Sequence, residues 1–236
     1  MLGIKFMRKY QLAATAALLA VAASPASAAI VIGSAGPAPV TGFVKINSPA
    51  GLVQVGNKTS QNNGLDQTKV YGFDEKQSYT LGSNLTVTVA PGGSALSGAP
   101  LGVLAKGTHV ASHYLFFDPV GVVPAAGSIT FNRKILGVIR TTAGLNASDA
   151  LFGIAGVGYA AVPLRGLEQG NSITFAINGN TLSYDTLAGN PGDSFRVLTG
   201  GVPEPATWAF MILGFGLIGG AMRQAKGRTA TRVRFA

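Results

Sequence analysis

The sequence contains no cysteine in 236 residues, and only 11% of its residues are charged. The missing cysteine excludes a disulfide scaffold, thiolate zinc and iron–sulfur sites, a cysteine nucleophile and an acylated lipoprotein cysteine. A charge content this far below the usual ~25% argues against a charge-driven disordered chain and against long helices held by ion pairs. The 33 glycines favour short strands joined by many turns instead.

Positive charge exceeds negative charge, with 18 Lys and Arg against 9 Asp and Glu, but the excess lies at the two ends. Between Ala29 and Pro203 there are 10 basic and 8 acidic residues. A nucleic-acid surface needs basic residues clustered on the folded domain, and this central region has no such cluster in its sequence. The charge distribution therefore predicts no nucleic-acid partner, and the terminal charges are of the kind that sets membrane orientation.

The first 28 residues are predicted to be an export signal. Basic residues precede an apolar run at 12–23, which is too short to span ~30 Å of hydrocarbon easily. Ala26 and Ala28 then supply the small-residue pattern that signal peptidase accepts, so the predicted cut lies before Ala29. The alternative is a membrane anchor, which the short run and the following small residues disfavour.

A second apolar segment, residues 206–222, carries no charge and is predicted to form a single transmembrane helix. At 1.5 Å per residue it would be roughly 25 Å long, which suffices for a thin span. The tail 223–236 has only positive charges, and the positive-inside rule keeps such a tail in the cytoplasm. Arg223, Lys226 and Arg228 are the residues predicted to fix this orientation.

A short proline motif, Pro203-Glu204-Pro205, stands immediately before that apolar segment. Its two prolines hold the preceding residues in extended conformations, a shape that a processing enzyme can bind. Together with Trp208, Ala209, the glycine-rich helix and the basic end, the motif resembles the PEPxxWA variant of the PEP-CTERM sorting signal. The resemblance covers residues 203–228.

Proteins with this signal occur in Gram-negative bacteria that produce exopolysaccharide. A module of the same kind also ends some proteins labelled ice-binding. The resemblance implies that exosortase, a membrane-embedded enzyme, processes the chain near the proline motif. The protein would then be released to the outer surface or attached there.

The central region, residues 29–202, is predicted to be an all-β domain with an antiparallel sandwich or jelly-roll-like arrangement. Two turn sequences are predicted to form hairpins, Asn132-Arg133-Lys134 and Asn178-Gly179-Asn180. Helix is limited to a turn or two near 148–152. The predicted strands are Thr41–Ile46, Leu52–Val55, Asn84–Ala90, Thr108–Phe117, Ser128–Phe131, Ile135–Thr141, Ser172–Ile177, Thr181–Tyr184 and Ser194–Leu198.

Few side chains in this domain suggest chemistry. His109 and His113 lie ~13 Å apart if they share a strand, too far to ligate one metal ion. Ser112, His113 and Asp118 are the residue types of a catalytic triad, but no nucleophile-elbow motif accompanies them. We therefore predict no metal, no cofactor and no catalytic residue in this region.

Two further groups of residues have both a functional and a structural interpretation. Asp66, Asp74 and Glu75 could bind calcium, although adjacent residues on a strand point to opposite faces, which favours a solvated edge. The run 114–117 places aromatic side chains on both faces of a strand, which suits burial between layers. A sugar-stacking platform is the alternative for that run, and core packing is favoured.

Together these features predict an exported protein, not an enzyme, with a structural or adhesive role in an exopolysaccharide matrix. The alternative is an exported hydrolase that acts on the polysaccharide, since the sequence does not exclude a facing pair of carboxylates. The predicted partners are signal peptidase, exosortase, the membrane before processing, and exopolysaccharide. The predicted location is the inner membrane transiently, then the cell surface or extracellular matrix.

Overall fold

A computed structural model describes residues 27–47, 49–52, 65–91, 102–159, 163–167, 174–189, 192–201 and 205–226. The chain divides into two compact units, with boundaries at Ala26/Ser27 and Val202/Pro203. The unit Ser27–Val202 contains the sheets described below. Residues 1–26 of the predicted signal peptide and most of the predicted strand Leu52–Val55 lie outside the described residues.

The smaller main sheet has four antiparallel strands in the order β1-β8-β11-β10. The edge strand β1 pairs with the long strand β8, and β11 joins β8 to the other edge. The hairpin between β10 and β11 was predicted from Asn-Gly and is confirmed, with Gly179 at φ +62°, a backbone conformation that glycine adopts readily. The strands are β1 (Ile30–Gly36), β8 (Val123–Phe131), β10 (Thr174–Asn178) and β11 (Thr181–Ala188).

The larger sheet runs β2-β3-β7-β12-β9, and the short strand β4 also pairs with β7. All its pairs are antiparallel except β2 with β3, which run parallel, so the sheet is mainly antiparallel with one parallel pair at its edge. A separate hairpin joins β5 to β6. The strands are β2 (Gly42–Lys45), β3 (Lys69–Asp74), β4 (Tyr79–Thr80), β5 (Leu85–Val87), β6 (Gly102–Leu104), β7 (His109–Phe117), β9 (Ile135–Ile139) and β12 (Asp193–Gly200).

A hydrophobic core lies between the two main sheets and makes the domain a β-sandwich. The smaller sheet contributes Ile129 and Phe131 to this core, and the larger sheet contributes Leu115 and Val197. The all-β prediction is therefore confirmed for the described part of this unit. The sheets of four, six and two strands found there differ from the pair of four-stranded sheets in a jelly roll.

A second core covers the other face of the larger sheet, so this sheet is buried on both sides. Helix α1 (Thr142–Phe152) packs there through Leu145, Ser148 and Phe152, spaced three and four residues apart. The Thr141 hydroxyl caps the helix by accepting from the Gly144 amide. The helix has 11 residues, which is more than the one or two turns that the sequence predicted.

Strand β7 carries apolar side chains on both faces because each face packs in a different core. Leu115 and Phe117 belong to the core between the sheets, whereas Tyr114 and Phe116 belong to the core beneath α1. Core packing of this run, favoured over a sugar-stacking platform, is confirmed by the near-complete burial of all four side chains.

The second predicted hairpin is wrong. Strands β8 and β9 flank Asn132–Lys134, but β8 lies in the smaller sheet and β9 pairs with β12 in the larger one. The turn therefore passes from one sheet to the other. Each flanking strand pairs with a partner distant in sequence, which a local turn motif does not reveal.

The other described unit contains helix α2, Pro205–Lys226, which covers the apolar segment predicted at 206–222. Within the described residues, no helix combines the length and apolarity needed to cross a membrane. The predicted transmembrane helix is thus not supported by the structure.

Candidate functional site

The centre of the second core holds a buried ion pair between Glu75 and Arg196. The Arg196 guanidinium donates to both carboxylate oxygens of Glu75, at 2.7 and 2.8 Å, and both side chains are fully buried. It also donates to the Ser148 hydroxyl, and the Ser112 hydroxyl donates to Glu75. A bidentate arginine–carboxylate pair of this kind needs all its partners because an unpaired buried charge is costly.

Asp149 links this pair to a second buried arginine. Its Oδ1 accepts from Arg196 at 3.0 Å, and its two oxygens accept from Arg165 at 2.6 and 2.9 Å. Arg165 also donates to Asn146 and to the Tyr114 hydroxyl, both at 2.9 Å. The two cations and two anions compensate each other, so the network is neutral and internally paired.

Aromatic rings close the same cluster. The guanidinium carbons of Arg165 and Arg196 lie 5.4 and 5.3 Å from the Tyr114 ring centroid, and Tyr159 packs edge-on against that ring. Burial raises the pKa of Tyr159, and the neighbouring Glu75 raises that pKa further. Burial opposes the charge on Arg196, but Glu75 outweighs it and raises the pKa of the guanidinium. Both residues therefore keep their protons at any physiological pH.

A second polar cluster lies on the opposite face of the larger sheet and has the order of a catalytic triad. Asp74 Oδ1 is 2.7 Å from His113 Nδ1, and His113 Nε2 is 3.0 Å from the Thr199 hydroxyl. Burial raises the pKa of Asp74, but hydrogen bonds from His113 and Lys45 outweigh it and hold that pKa below its usual value. An ionised Asp74 accepts from the Nδ1–H of His113, and Nε2 of the same ring faces the Thr199 hydroxyl.

Solvent does not reach the hydroxyl of this cluster. Thr199 and His113 both have no exposed surface, and the His113 ring packs 4.7 Å from that of Phe131. A nucleophile must contact its substrate, and the geometry gives Thr199 no open side from which one could approach. Lys45 completes the cluster with a 2.8 Å ion pair to Asp74.

The residues considered for chemistry in the sequence do not meet in one place. His109 is exposed and close to Thr80, whereas His113 is buried against Asp74. Ser112 and His113 point to opposite faces of β7, and Asp118 follows the far end of the same strand.

The three carboxylates weighed for calcium are also apart. Asp66 is exposed before β3, Asp74 faces His113, and Glu75 faces Arg196. Across the part of the chain that the structure describes, no three His, Asp or Glu side chains form a metal-binding group.

An open cleft of about 620 Å³ lies at the end of the sandwich away from His109. Phe117, Pro119, Val120 and Val123 form much of its apolar wall, and Asp66 is the carboxylate in its described lining. Hydrogen bonds from the Thr68 amide and hydroxyl lower the pKa of Asp66, so this carboxylate is ionised. A glycosidase site needs two carboxylates across a cleft, and the described lining presents one.

The sorting segment is described only in part. Gly201 is the last described residue of the β domain, and its amide donates to the His109 carbonyl at 3.1 Å; α2 begins at Pro205. Pro203, Glu204 and Arg228 lie outside the described residues, as do the side chains of Trp208, Ala209 and Lys226. Arg223 is exposed. The described apolar side chains of α2 are also exposed, from 45% at Met211 to 70% at Phe215.

Where the chain enters the domain, Ala28 is buried against Ala111. Ala26 lies outside the described residues. The Ala29 amide donates to the Asn132 side-chain oxygen at 2.7 Å. The predicted cut before Ala29 stays a prediction. It would leave the new amino group on that nitrogen.

A family model for the PEP-CTERM protein-sorting motif matches residues 201–226. The chain therefore carries the sorting motif that its C-terminal sequence resembles, and this motif indicates export with exosortase as the processing partner. No curated protein matches the chain. No solved structure matches it either.

Sequence reasoning missed Arg165 and Arg196, the two fully buried arginines of this cluster. A signal was present for Arg196, because it interrupts the apolar run 194–198 predicted as a strand, and a charge inside a buried strand requires a partner. No comparable signal marks Glu75 or Asp149 as that partner, because they are 121 and 47 residues away in the chain.

Proposed function

We propose that this protein is an exported, non-catalytic component of an exopolysaccharide matrix, delivered to the cell surface through its C-terminal sorting segment. The observation that carries the proposal is the PEP-CTERM motif at 201–226, which directly follows a β domain with its own core. In this arrangement the β domain is the part that is delivered, and the C-terminal segment is the sorting signal that exosortase removes.

The apolar surface of α2 supports a role at the membrane before processing. Ile212, Leu213, Phe215, Leu217 and Ile218 are each at least 59% exposed. Apolar side chains so exposed favour a lipid or protein partner over water. We propose that α2 holds the precursor at the inner membrane until exosortase cuts near residues 203–206.

The polar groups of the domain support a structural role. Both clusters pair their charges internally, and Thr199 is buried. The single carboxylate in the described lining of the cleft does not favour the alternative of a polysaccharide hydrolase. A matrix protein would affect cohesion of the extracellular material, whereas a hydrolase would also shorten its polysaccharide.

The sorting proposal is tested by the C-terminal peptide of the mature protein. The protein is expressed in cells with and without exosortase, as wild type and with Pro203, Glu204 and Pro205 all replaced by Ala. We expect the wild type to end near residues 203–206 only when exosortase is present, and the triple variant to end at Ala236 in both strains. A wild-type protein that ends at Ala236 in the presence of exosortase would refute sorting by this segment.

The matrix proposal is tested in a strain that lacks this chain. We expect weaker cohesion of the extracellular material and an unchanged length distribution of its polysaccharide. Longer polysaccharide in the deletion strain, reversed by the wild-type chain, would support the hydrolase alternative instead.

A further inference from the structure

Both ends of the β domain meet at one turn. Asn132–Lys134 passes between the sheets, and the Asn132 amide donates to the Ala29 carbonyl at 3.0 Å. At the other end of the turn, the Lys134 carbonyl accepts from the Gly200 amide at 2.9 Å. The chain therefore enters and leaves the domain on the same side. We call this side the terminal face: Ser27–Ala29, Ala105–Thr108, Asn132–Lys134 and Gly200–Gly201.

The exposed charges on the terminal face are all positive. Lys106, Arg133 and Lys134 are exposed and make no ion pair with any described residue, and the exposed His109 starts β7 beside Gly201. Strand spacing of about 4.8 Å puts the starts of β7 and β9, on either side of β12, within about 10 Å. The basic residues thus lie at the same end of neighbouring strands, although they are far apart in sequence.

The described acidic residues lie elsewhere. Asp66, Asp118 and Asp193 belong to the opposite end of the sandwich, where β3 and β12 begin and β7 ends. Asp74, Glu75 and Asp149 are paired with cations inside the domain. Asp185 lies within β11, four residues after the strand begins at the hairpin between β10 and β11. The domain as a whole is nearly neutral, but the exposed basic residues of its terminal face lie apart from its described acidic residues.

We propose that the terminal face binds anionic phospholipid headgroups at the outer leaflet of the inner membrane while the precursor awaits processing. This inference rests on the proposed function. The chain leaves the domain at Gly201, two residues before the proline motif, so the terminal face carries the connection to the sorting segment. A cut before Ala29 adds an amino group, and hence one more positive charge, to the same face.

A surface with three cations binds anionic lipid weakly on its own. Each Lys or Arg close to an anionic membrane contributes about 1 kcal/mol, and screening confines the effect to about 10 Å. Tethering raises the effective concentration of such a surface near the membrane and makes weak contacts count. Removal of the C-terminal segment ends the tethering. The contacts alone are then too weak to hold the mature domain at the membrane, and it is released.

The test uses the full-length precursor and two kinds of vesicle, pure phosphatidylcholine and an equal mixture of phosphatidylcholine and phosphatidylglycerol. The variant Arg133→Gln/Lys134→Gln removes two charges from the terminal face. We expect its partition coefficient on mixed vesicles to fall by about thirtyfold, from two charges at about 1 kcal/mol each, and to be unchanged on pure phosphatidylcholine. The difference should shrink as salt is raised.

Lys69→Glu is the matched control. It also changes the net charge by two, but Lys69 begins β3 at the opposite end of the sandwich. We expect its partition coefficient to stay within about twofold of wild type, because screening removes charges more than a Debye length from the membrane. The exchange Arg133→Lys/Lys134→Arg keeps both charges and should bind as wild type does, which would show that a loss follows the charge and not the particular side chains.

Equal losses in the double variant and in Lys69→Glu would mean that only net charge matters, and would overturn the proposal. No loss in the double variant would overturn it as well, because α2 and the basic tail would then account for all binding. Selective loss of binding to soluble alginate, with vesicle binding intact, would assign the face to polysaccharide instead. These measurements contain no exosortase, so they can fail while the C-terminal peptide still demonstrates sorting, and the reverse also holds.

Discussion

Asp74 and Glu75 are neighbours in sequence, but their carboxylates lie on opposite sides of the larger sheet. Asp74 pairs with His113 and Lys45 on the side of the core between the sheets. Glu75 pairs with Arg196 in the core beneath α1. The end of β3 thus anchors both layers of the domain, because successive side chains of a strand point to opposite faces.

Loss of the Arg196 side chain should be strongly destabilising. Arg196→Met leaves Glu75 buried without its cation, and we expect the free energy of unfolding to fall by about 3–5 kcal/mol in urea titrations of the detergent-solubilised precursor. The exposed Arg133→Met is the control and should change it by less than about 0.5 kcal/mol. The double variant Glu75→Leu/Arg196→Met should recover part of the loss. A double variant less stable than Arg196→Met would contradict the pairing.

The domain should lose stability in acid through Asp74. Its pKa is lowered in the folded state, so it stabilises the fold above the ordinary aspartate pKa of about 4 and loses that effect as the pH falls through the folded value. We expect Asp74→Asn to be less stable than wild type at pH 7 and to converge with it at low pH. Thermal unfolding across that range measures both curves.

Asp66→Asn is the comparison for that experiment. The pKa of Asp66 is also lowered, by hydrogen bonds from Thr68, but this carboxylate is exposed and solvent screens it. The loss of stability relative to wild type, plotted against pH, should therefore be clearly smaller for Asp66→Asn than for Asp74→Asn. Equal curves would argue that burial of Asp74 has no part in its effect.

A methyl group at Gly127 should disturb the pairing of β1 with β8. A Cβ there would meet the Ser34 carbonyl oxygen at 2.0 Å and the Tyr184 hydroxyl at 2.8 Å. We expect Gly127→Ala to lower the free energy of unfolding by about 1–3 kcal/mol, the usual range for overpacking. Gly36→Ala, in the same strand pair, has no atom within 4 Å of the new Cβ and should be much milder. Similar urea midpoints for the two variants would show that the strands shift apart without cost.

The buried triad-like cluster should be unreactive. Thr199 has no exposed surface, so a fluorophosphonate probe should label wild type no more than Thr199→Ala. Intact-mass analysis of the precursor after incubation with the probe measures the adduct. Stoichiometric labelling that Thr199→Ala abolishes would make the domain an enzyme and would end the structural proposal.

The features predicted well from sequence were local. Asn178-Gly179 specifies its hairpin through backbone conformation, and the apolar residues of 114–117 specify a strand buried on both faces. The inter-sheet turn at Asn132 was beyond such patterns, since sheet membership depends on distant strands. The strands β1, β3, β4 and β6 were not predicted either.

The polar clusters show the same division. Thr199 joins His113 across 86 residues, and Arg165 joins Tyr114 across 51, so no motif spacing could have identified either pair. The sorting motif is the opposite case. Its residues are contiguous because an enzyme binds them as a short extended segment, which is why sequence alone located it.

The shared turn at Asn132–Lys134 also bears on how the chain could be reconnected. Ala29 and Gly200 contact the two ends of one short turn, so the termini of the β domain lie a few residues apart in space. Domains with adjacent termini tolerate circular permutation, in which a short linker joins the old ends and the chain is opened at a surface loop. Opening the chain at the Gly179–Asn180 turn would keep every described strand intact. A sorting signal or fusion partner would then be attached at the tip of the hairpin between β10 and β11.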